Sequence, residues 1–237
     1  MNSQHELSVA ERLSAIDAAI ADAARQAGRD AGDITRIVVT KFHPASLVQE
    51  LYDLGVRDVG ENRQQELSAK VDALRQAPAP GTEGLRWHFI GQAQTNKAAQ
   101  IRRAAQAVHS IDRARIADAF DRAAADDGPL DVLLQVNLTD DPGRGGVAPK
   151  ELEMLAEHVL ALPTLRLRGL MAVAPLGEEP AAAFARVHDY ASRLRAIAPD
   201  ADWISAGMTG DFVEAIAAGA THLRIGTAIT GPRPAQG

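Results

Sequence analysis

The sequence predicts a (β/α)8 barrel of the TIM type, with eight parallel strands that alternate with helices. Short β-rich runs alternate with helical patterns along residues 36–231. Several runs, such as IVV at 37–39 and VLLQV at 132–136, are apolar throughout, as is typical of strands buried on both faces. The chain has 237 residues, an ordinary length for one barrel domain, so we expect 1–237 to form a single domain.

The elements follow in a regular order. Residues 6–27 predict an amphipathic helix ahead of the barrel, and Gly28 suits its end. Strands are predicted at 36–41, 58–62, 86–91, 107–112, 131–137, 165–173, 202–208 and 222–229. Helical patterns lie between them at about 44–54, 63–75, 95–105, 113–125, 149–161, 180–197 and 211–218, and a frayed tail is expected at 232–237. Eight such units favour a closed barrel, with a doubly wound open sheet as the alternative.

Composition excludes several classes of function. The net charge is −6 with no basic block, which argues against nucleic acid or an anionic membrane as partner. The absence of cysteine excludes disulfides and thiolate metal sites. The N-terminus lacks a secretory pattern, and no apolar stretch approaches the ~20 residues that span a bilayer. We therefore expect a cytoplasmic protein.

Lys41 ends the first predicted strand, at the edge where parallel barrels place their functional sites. Lysine is seldom found at the end of a buried strand without a partner or a task. A lysine amine in a barrel mouth of low dielectric, near a cation, is suited to form a Schiff base. A solvated loop lysine is the alternative at this point.

A phosphate site is predicted after the last two strands. Thr209 can cap a helix that starts near Gly210, and Gly219 suits the end of that helix. Helix N-termini bind anions, and barrels commonly bind phosphate with the loops after strands seven and eight. Gly226 and Thr227 follow strand eight and can bring backbone N–H groups close to a phosphate. An ordinary cap with a tight barrel corner is the alternative.

Arg224 shares a strand face with Gly226, two residues on, so both address the barrel interior. An interior arginine needs an acceptor, which can be a pyridine nitrogen or the carboxylate of Glu61. His88 and His109 lie within strands without metal-ligand spacing, so we interpret them as core or rim histidines and expect no metal site.

Seven motifs stand in one order along 36–233: VVTKFHP, GENRQQEL, WHFIGQAQTNK, LLQVN, LRGLM, SAGMTGDFVEAI and RIGTAITG. Together they resemble the pyridoxal phosphate homeostasis proteins, which are related to the N-terminal domain of alanine racemase. The resemblance implies a barrel of that kind, with pyridoxal 5′-phosphate (PLP) held as a Schiff base on Lys41. It also implies contacts of the cofactor phosphate with Thr209, Gly226, Thr227 and Ser205. It implies that Arg224 faces the pyridine nitrogen. Asn62 and Met171 would line the pocket, with Arg144 near its edge. The sequence departs from the family pattern at His43, Gln92–Ala93, Arg144, Gly210 and Thr230, which bears on the finer pocket contacts.

The resemblance implies a non-catalytic carrier that supplies or buffers PLP and passes it to apo-enzymes. A racemase-like, PLP-dependent enzyme is the alternative, and a phosphosugar aldolase that uses Lys41 without cofactor is a third. Racemisation needs an acid/base on each face of the substrate carbon. The only tyrosines, Tyr52 and Tyr190, lie in helical segments, so no second base is visible and the carrier is favoured. We expect a monomer.

Overall fold

The computed structural model describes residues 7–76, 81–125, 128–141 and 143–233. Eight parallel strands close into a barrel in the order of the chain, and the last pairs with the first. The strands are β1 (Thr35–Val39), β2 (Asp58–Glu61), β3 (Arg86–Phe89), β4 (Ala107–Ile111), β5 (Leu130–Gln135), β6 (Leu165–Met171), β7 (Trp203–Ser205) and β8 (His222–Ile225). The predicted (β/α)8 barrel is confirmed, and the open sheet is excluded.

A helix lies in every gap between strands, one helix precedes the first strand and another follows the last. They are α1 (Val9–Gln26), α2 (Ala45–Asp53), α3 (Gln64–Gln76), α4 (Ala98–Ala104), α5 (Ala114–Arg122), α6 (Leu152–Leu160), α7 (Pro180–Ile197), α8 (Phe212–Ala217) and α9 (Thr227–Thr230), with 3-10 turns at Ala31–Asp33, Thr95–Lys97 and Pro149–Glu151. A Ser8–Glu11 capping box starts α1, which confirms the predicted helix before the barrel. Position 6 of the predicted helix and positions 234–237 of the predicted tail lie outside the described residues.

The main apolar core lies between the sheet and the surrounding helices. Its largest fully buried side chains include Leu51, Leu67, Ile101, Phe120 and Phe184, most of which come from the inner faces of helices. This layer explains why the helical patterns are amphipathic, because each helix buries one face against the sheet.

The first helix packs over the seam where the barrel closes. Arg12 Nε donates to the carbonyl of Ile229 at 2.8 Å. Arg29 donates to the carbonyls of Ile216 and Ala220 at 2.9 and 2.7 Å. These bonds connect α1 to α9, and the segment just after α1 to the α8 region, so the N-terminal segment is tied to the elements that follow β7 and β8.

The interior of the barrel holds several polar side chains, unlike the outer core. His109 Nδ1 lies 2.9 Å from Ser205 Oγ, although β4 and β7 are not neighbours in the sheet. That bond therefore crosses the barrel. Asp58, His88 and His222 also point inward, and both histidines are buried. The interpretation of His88 and His109 as core histidines agrees with their full burial.

Every predicted strand is too long at its C-terminal end, and the first and the eighth illustrate the difference. The first strand ends at Val39 and not at Lys41. Thr40 N still donates to the carbonyl of Gly60, but residues 40–43 then form a turn. The eighth ends at Ile225, and α9 stands where strand had been predicted. In a short apolar run, the hydrophobic pattern does not distinguish a strand from a single helical turn. The sequence therefore did not predict α9.

Candidate functional site

Lys41 is carried by a strained turn at the end of β1. Phe42, which follows it, has φ of 69° and is the one non-glycine residue with positive φ in the described ranges. This conformation costs about 1–3 kcal/mol for a bulky residue and persists only where neighbours hold it. Phe42 N donates to Glu66 Oε2 at 2.7 Å, and His43 N donates to the carbonyl of Thr40. The backbone beside Lys41 is thus held in one conformation.

A buried ion pair lies under this turn. Lys70 Nζ lies 2.5 Å from Glu61 Oε1 and 2.8 Å from the carbonyl of Thr40. Thr40 Oγ1 donates to the same carboxylate oxygen at 2.6 Å. Burial raises the pKa of the Glu61 carboxyl, while the charge and hydrogen bond of Lys70 oppose that rise. The partner of Glu61 is therefore Lys70, so the alternative in which Glu61 pairs with Arg224 is wrong.

The amine of Lys41 is available for chemistry. The chain has four lysines, of which Lys70 is paired and Lys97 and Lys150 lie in the 3-10 turns outside the strand ends. Within the described part of the chain, Lys41 Nζ has no hydrogen bond or ion pair. It approaches only the ring of Phe42, at 5.9 Å from the centroid. A half-buried primary amine without a partner fits a nucleophile better than a structural cation.

Arg224 lies inside the barrel on β8, the neighbour of β1. Its Nη1 donates to the carbonyl and the hydroxyl of Ser205, both at 2.8 Å, and its Nη2 donates to the carbonyl of Ala172 at 2.9 Å. Burial lowers the pKa of the guanidinium to about 10, although nearby Asp211 opposes the change, so Arg224 remains a cation at neutral pH. These three bonds leave part of the five-donor guanidinium free to meet another acceptor.

Ser205 and Met171 lie next to Arg224. They pair in register on β7 and β6, and Met171 is 3% exposed. Neighbouring register positions point to the same side of a sheet, so Met171 also faces the interior. The Ser205 hydroxyl is fully buried and already bonded to Arg224 and His109. The expected contact of Ser205 with the phosphate stays a prediction.

Thr209 does not cap a helix, contrary to the sequence prediction. Helix α8 begins at Phe212 with Asp211 at its N-cap position, and no side chain bonds the cap. Instead Met208 N donates to Asp211 Oδ1 at 2.6 Å, and Asp211 N donates back to the carbonyl of Met208 at 3.1 Å. This closed turn displaces the helix start by two residues. Thr209 and Gly210 lie exposed at its tip, beyond the end of β7.

Gly226 and Thr227 lie at the end of β8, beside β1. A Cβ built on Gly226 would lie 3.7 Å from the Cβ of Val39, so this position is adjacent to the strand that leads to Lys41. Thr227 is exposed and begins α9, whose first-turn N–H groups have no acceptor within the helix. The structure thus places Lys41 and the Gly226–Thr227 step just beyond the ends of two neighbouring strands, β1 and β8, with Arg224 on β8.

The other predicted residues lie around the same end of the barrel. Asn62 is exposed directly after β2, and its carbonyl would lie 1.9 Å from a Cβ on Gly91. Only glycine allows the loops after β2 and β3 to approach so closely. Arg144 and Asn137 line a cavity of about 180 Å³ after β5. Asn62 and Arg144 thus lie at the rim, while Ser205, Met171 and Arg224 lie within.

Sequence reasoning did not identify the residues that support Lys41. Glu66 and Lys70 stand four residues apart on α3, a spacing that places them on one helix face and was the available signal. The described residues contain no group of three or more metal-ligating side chains and no helix that could cross a membrane.

Comparison with known proteins gives a consistent result. Residues 12–234 match the family model of the alanine racemase N-terminal domain. The chain is 42% identical over 230 residues to a pyridoxal phosphate homeostasis protein of Pseudomonas aeruginosa, covering 95% of this chain and 96% of that protein. A homeostasis protein of the same name from Escherichia coli is 41% identical over 229 residues, covering 95% and 97%.

Solved structures agree with these matches. PipY of Synechococcus elongatus, solved with PLP bound, superposes with a TM-score of 0.81 at 33% identity, over 94% of this chain and all of that one. Alanine racemase of Corynebacterium glutamicum superposes with a TM-score of 0.64 at 17% identity, over 95% of this chain and 62% of the enzyme. The second likeness concerns the fold alone.

Proposed function

Since this chain belongs to the pyridoxal phosphate homeostasis proteins and has the fold of the alanine racemase N-terminal domain, we propose that it binds PLP through a Schiff base on Lys41. In this proposal it supplies or buffers the cofactor. The observation that carries the proposal is the amine of Lys41, which is unpartnered among the described residues and lies at a strand end beside β8. The PLP-bound relative PipY supports the same ligand.

The surrounding residues fit the parts of this cofactor. Lys41 offers an amine for the aldehyde, and Arg224 keeps unused N–H donors for the ring nitrogen. Thr209, Gly226 and Thr227 offer exposed or half-exposed backbone for the phosphate, at the strand ends where barrels commonly bind it. We place Asn62 at the rim and Met171 against the cofactor, with Ser205 beneath Arg224.

Two observations favour a carrier over a catalyst. When bound, PLP supplies a reactive aldehyde and an electron sink. Arg224 is a cation at neutral pH and only donates, so a ring nitrogen that accepts from it stays unprotonated and the sink is weaker. Tyr52 lies on α2 with its hydroxyl bonded to the carbonyl of Glu83, and Tyr190 lies on α7. Neither stands at the strand ends as a second acid/base.

The test of the Schiff base is reconstitution with PLP followed by borohydride reduction. We expect a visible absorbance band and, after reduction, a mass increase of one cofactor per chain located on the Lys41 peptide. Lys41→Ala abolishes both, whereas Lys150→Ala, at an exposed lysine outside the site, retains them. Failure of the wild-type protein to acquire the adduct, or an adduct that survives in Lys41→Ala, would refute the proposal.

The test of the carrier role is transfer to an apo-enzyme. We expect the PLP-loaded protein to reactivate an apo PLP-dependent enzyme faster than its free release of cofactor allows. Sustained turnover of an amino acid by the pure protein would contradict the carrier role and favour the racemase-like alternative. We also expect a monomer, which sedimentation analysis of the loaded protein tests.

A further inference from the structure

A chain of hydrogen bonds runs through the barrel interior from one end to the other. Arg224 Nη1 lies 2.8 Å from Ser205 Oγ, which lies 2.9 Å from His109 Nδ1. His109 Nε2 lies 2.9 Å from His88 Nδ1, and His88 Nε2 lies 2.9 Å from Asp58 Oδ1. We call Asp58, His88, His109 and Ser205 the interior column. It connects the first residue of β2 with the arginine on β8.

The two ends of the column determine its direction. An arginine can only donate, and an ionised aspartate can only accept. Ser205 therefore accepts from Arg224 and donates to His109 Nδ1. His109 then carries its proton on Nε2 and donates to His88 Nδ1, and His88 donates from Nε2 to Asp58. Both histidines are consequently neutral Nε2–H tautomers, and every bond points the same way.

The surroundings keep the column in this state. His88 and His109 are fully buried, and burial is the main cause that lowers the pKa of each. Burial opposes ionisation of Asp58, but the hydrogen bond from His88 and the positive charge of Arg86 outweigh it and lower the pKa of the Asp58 carboxyl. The column thus keeps a fixed charge at its far end only.

Other charged groups face the column from the neighbouring strands. Near the N-terminal ends of the strands, Asp131 pairs with Arg86, Arg166 and Arg168. The shortest of these contacts joins Arg166 Nε to Asp131 Oδ1 at 2.5 Å. The ring of His222 lies 6.4 and 6.5 Å from those of His88 and His109. The positive charge of Arg86 disfavours a second proton on either ring, while Asp131 opposes that effect at His88.

We propose that the interior column is a positioning device for Arg224, which orients the guanidinium from beneath the cofactor site. The proposal rests on the proposed function for its cofactor readouts, but the tautomer state is independent of PLP. A purely structural polar core would leave Arg224 in place when one link is removed. The column predicts that a change at Asp58, four hydrogen bonds away, is felt at Arg224.

The first experiment removes one link near Arg224. Ser205→Ala deletes the hydroxyl and leaves the backbone carbonyl bond, and we expect about tenfold weaker PLP binding with a shifted absorbance maximum. Ser110→Ala is the matched control, because the Ser110 hydroxyl is buried and has no hydrogen-bond partner within the described residues. Equal affinity and equal spectra for Ser205→Ala and the wild type would overturn the proposal.

The second experiment changes the far end. Asp58→Asn keeps an acceptor for His88 and removes the charge, and we expect about threefold weaker binding. Asp17→Asn is the control, since Asp17 pairs with Arg36 on the outside of β1 at 2.5 Å. If both variants bind like the wild type, Asp58 does not act on Arg224 and the column is not a positioning device.

A third measurement separates this proposal from the cofactor assignment. Nitrogen-15 NMR of the protein without PLP should show His88 and His109 as Nε2–H tautomers. The Arg224 Nε–H signal, assigned by its loss in Arg224→Lys, should exchange faster with water in Ser205→Ala than in Ser110→Ala. These results are expected even if Lys41 forms no adduct, so they test the column alone. An Nδ1–H tautomer at either histidine, or unchanged exchange, would overturn it.

Discussion

His222 makes the stability of this protein depend on pH in a predictable direction. It begins β8 with its side chain in the barrel interior, where it is 5% exposed and stacks on Trp203 at 4.2 Å between ring centroids. Burial lowers the pKa of this imidazole from 6.5 to about 3, although Asp58 opposes the shift. We choose this residue because its shift is large and does not depend on the cofactor.

The sign follows from the proton count. Between pH 6.5 and about 3 the unfolded chain binds a proton at His222 that the folded protein does not. Stability from this group is therefore fully present above pH 6.5 and is lost as the pH falls towards 3. A pH of about 5 lies ~1.5 units below the ordinary pKa of 6.5, so the free energy of unfolding falls by ~2 kcal/mol through this one group. Because His88 and His109 have lowered pKa values too, their contributions have the same sign.

The assay is urea unfolding of the wild type and His222→Phe at about pH 7.5 and about pH 5. Phenylalanine keeps the ring and removes the titration. Any packing cost of the substitution appears at both pH values and cancels in the difference. We expect the wild type to lose ~2 kcal/mol more than the variant on acidification. Equal losses in the two proteins would refute the reasoning that His222 is held neutral by its burial.

Two further substitutions test the packing and the loop geometry. Phe120→Ala removes a fully buried ring between α5 and the sheet and should lower the free energy of unfolding in urea by about 3–5 kcal/mol. Leu54→Ala, at a residue 41% exposed, should lower it by less than ~0.5 kcal/mol. Similar losses in the two variants would contradict the assigned core. Gly91→Ala forces a Cβ to within 1.9 Å of the Asn62 carbonyl, so it should lower stability by about 1–3 kcal/mol and weaken PLP binding. The control is Gly81→Ala, whose Cβ would meet only Glu83 Cγ, at 4.0 Å. If Gly91→Ala binds PLP as tightly as Gly81→Ala, the contact between the two loops does not shape the site.

The rhythm of the elements was predictable because it depends on local patterns. Strands buried on both faces read as apolar runs, and helices that bury one face read as amphipathic. The C-terminal limits of the strands were less predictable. Lys41 lies two residues beyond β1, and Thr227 begins a helix, because hydrogen bonds to neighbouring strands decide where a strand ends. The same holds for Thr209, where the turn with Asp211 replaces the expected cap.

The partners of charged residues were beyond reach of the sequence. Glu61 was one of two acceptors considered for Arg224, since both residues were assigned to the same barrel mouth. In the structure Glu61 bonds outward to Lys70 on α3, while Arg224 bonds to Ser205 and Ala172. One residue more or less along a strand reverses the side on which a side chain lies, and the sequence pattern does not resolve that difference for a strand of four residues.

The sequence by itself determined the barrel, the amine at the end of the first strand and the arginine on the eighth, because periodicity and motif order depend on residues close together in the chain. Only the tertiary structure decided how the interior is filled. The contacts that join Asp58, His88, His109, Ser205 and Arg224 connect five different strands, brought together by closure of the barrel. No local pattern encodes such contacts, since their geometry depends on the register and tilt of strands far apart in sequence.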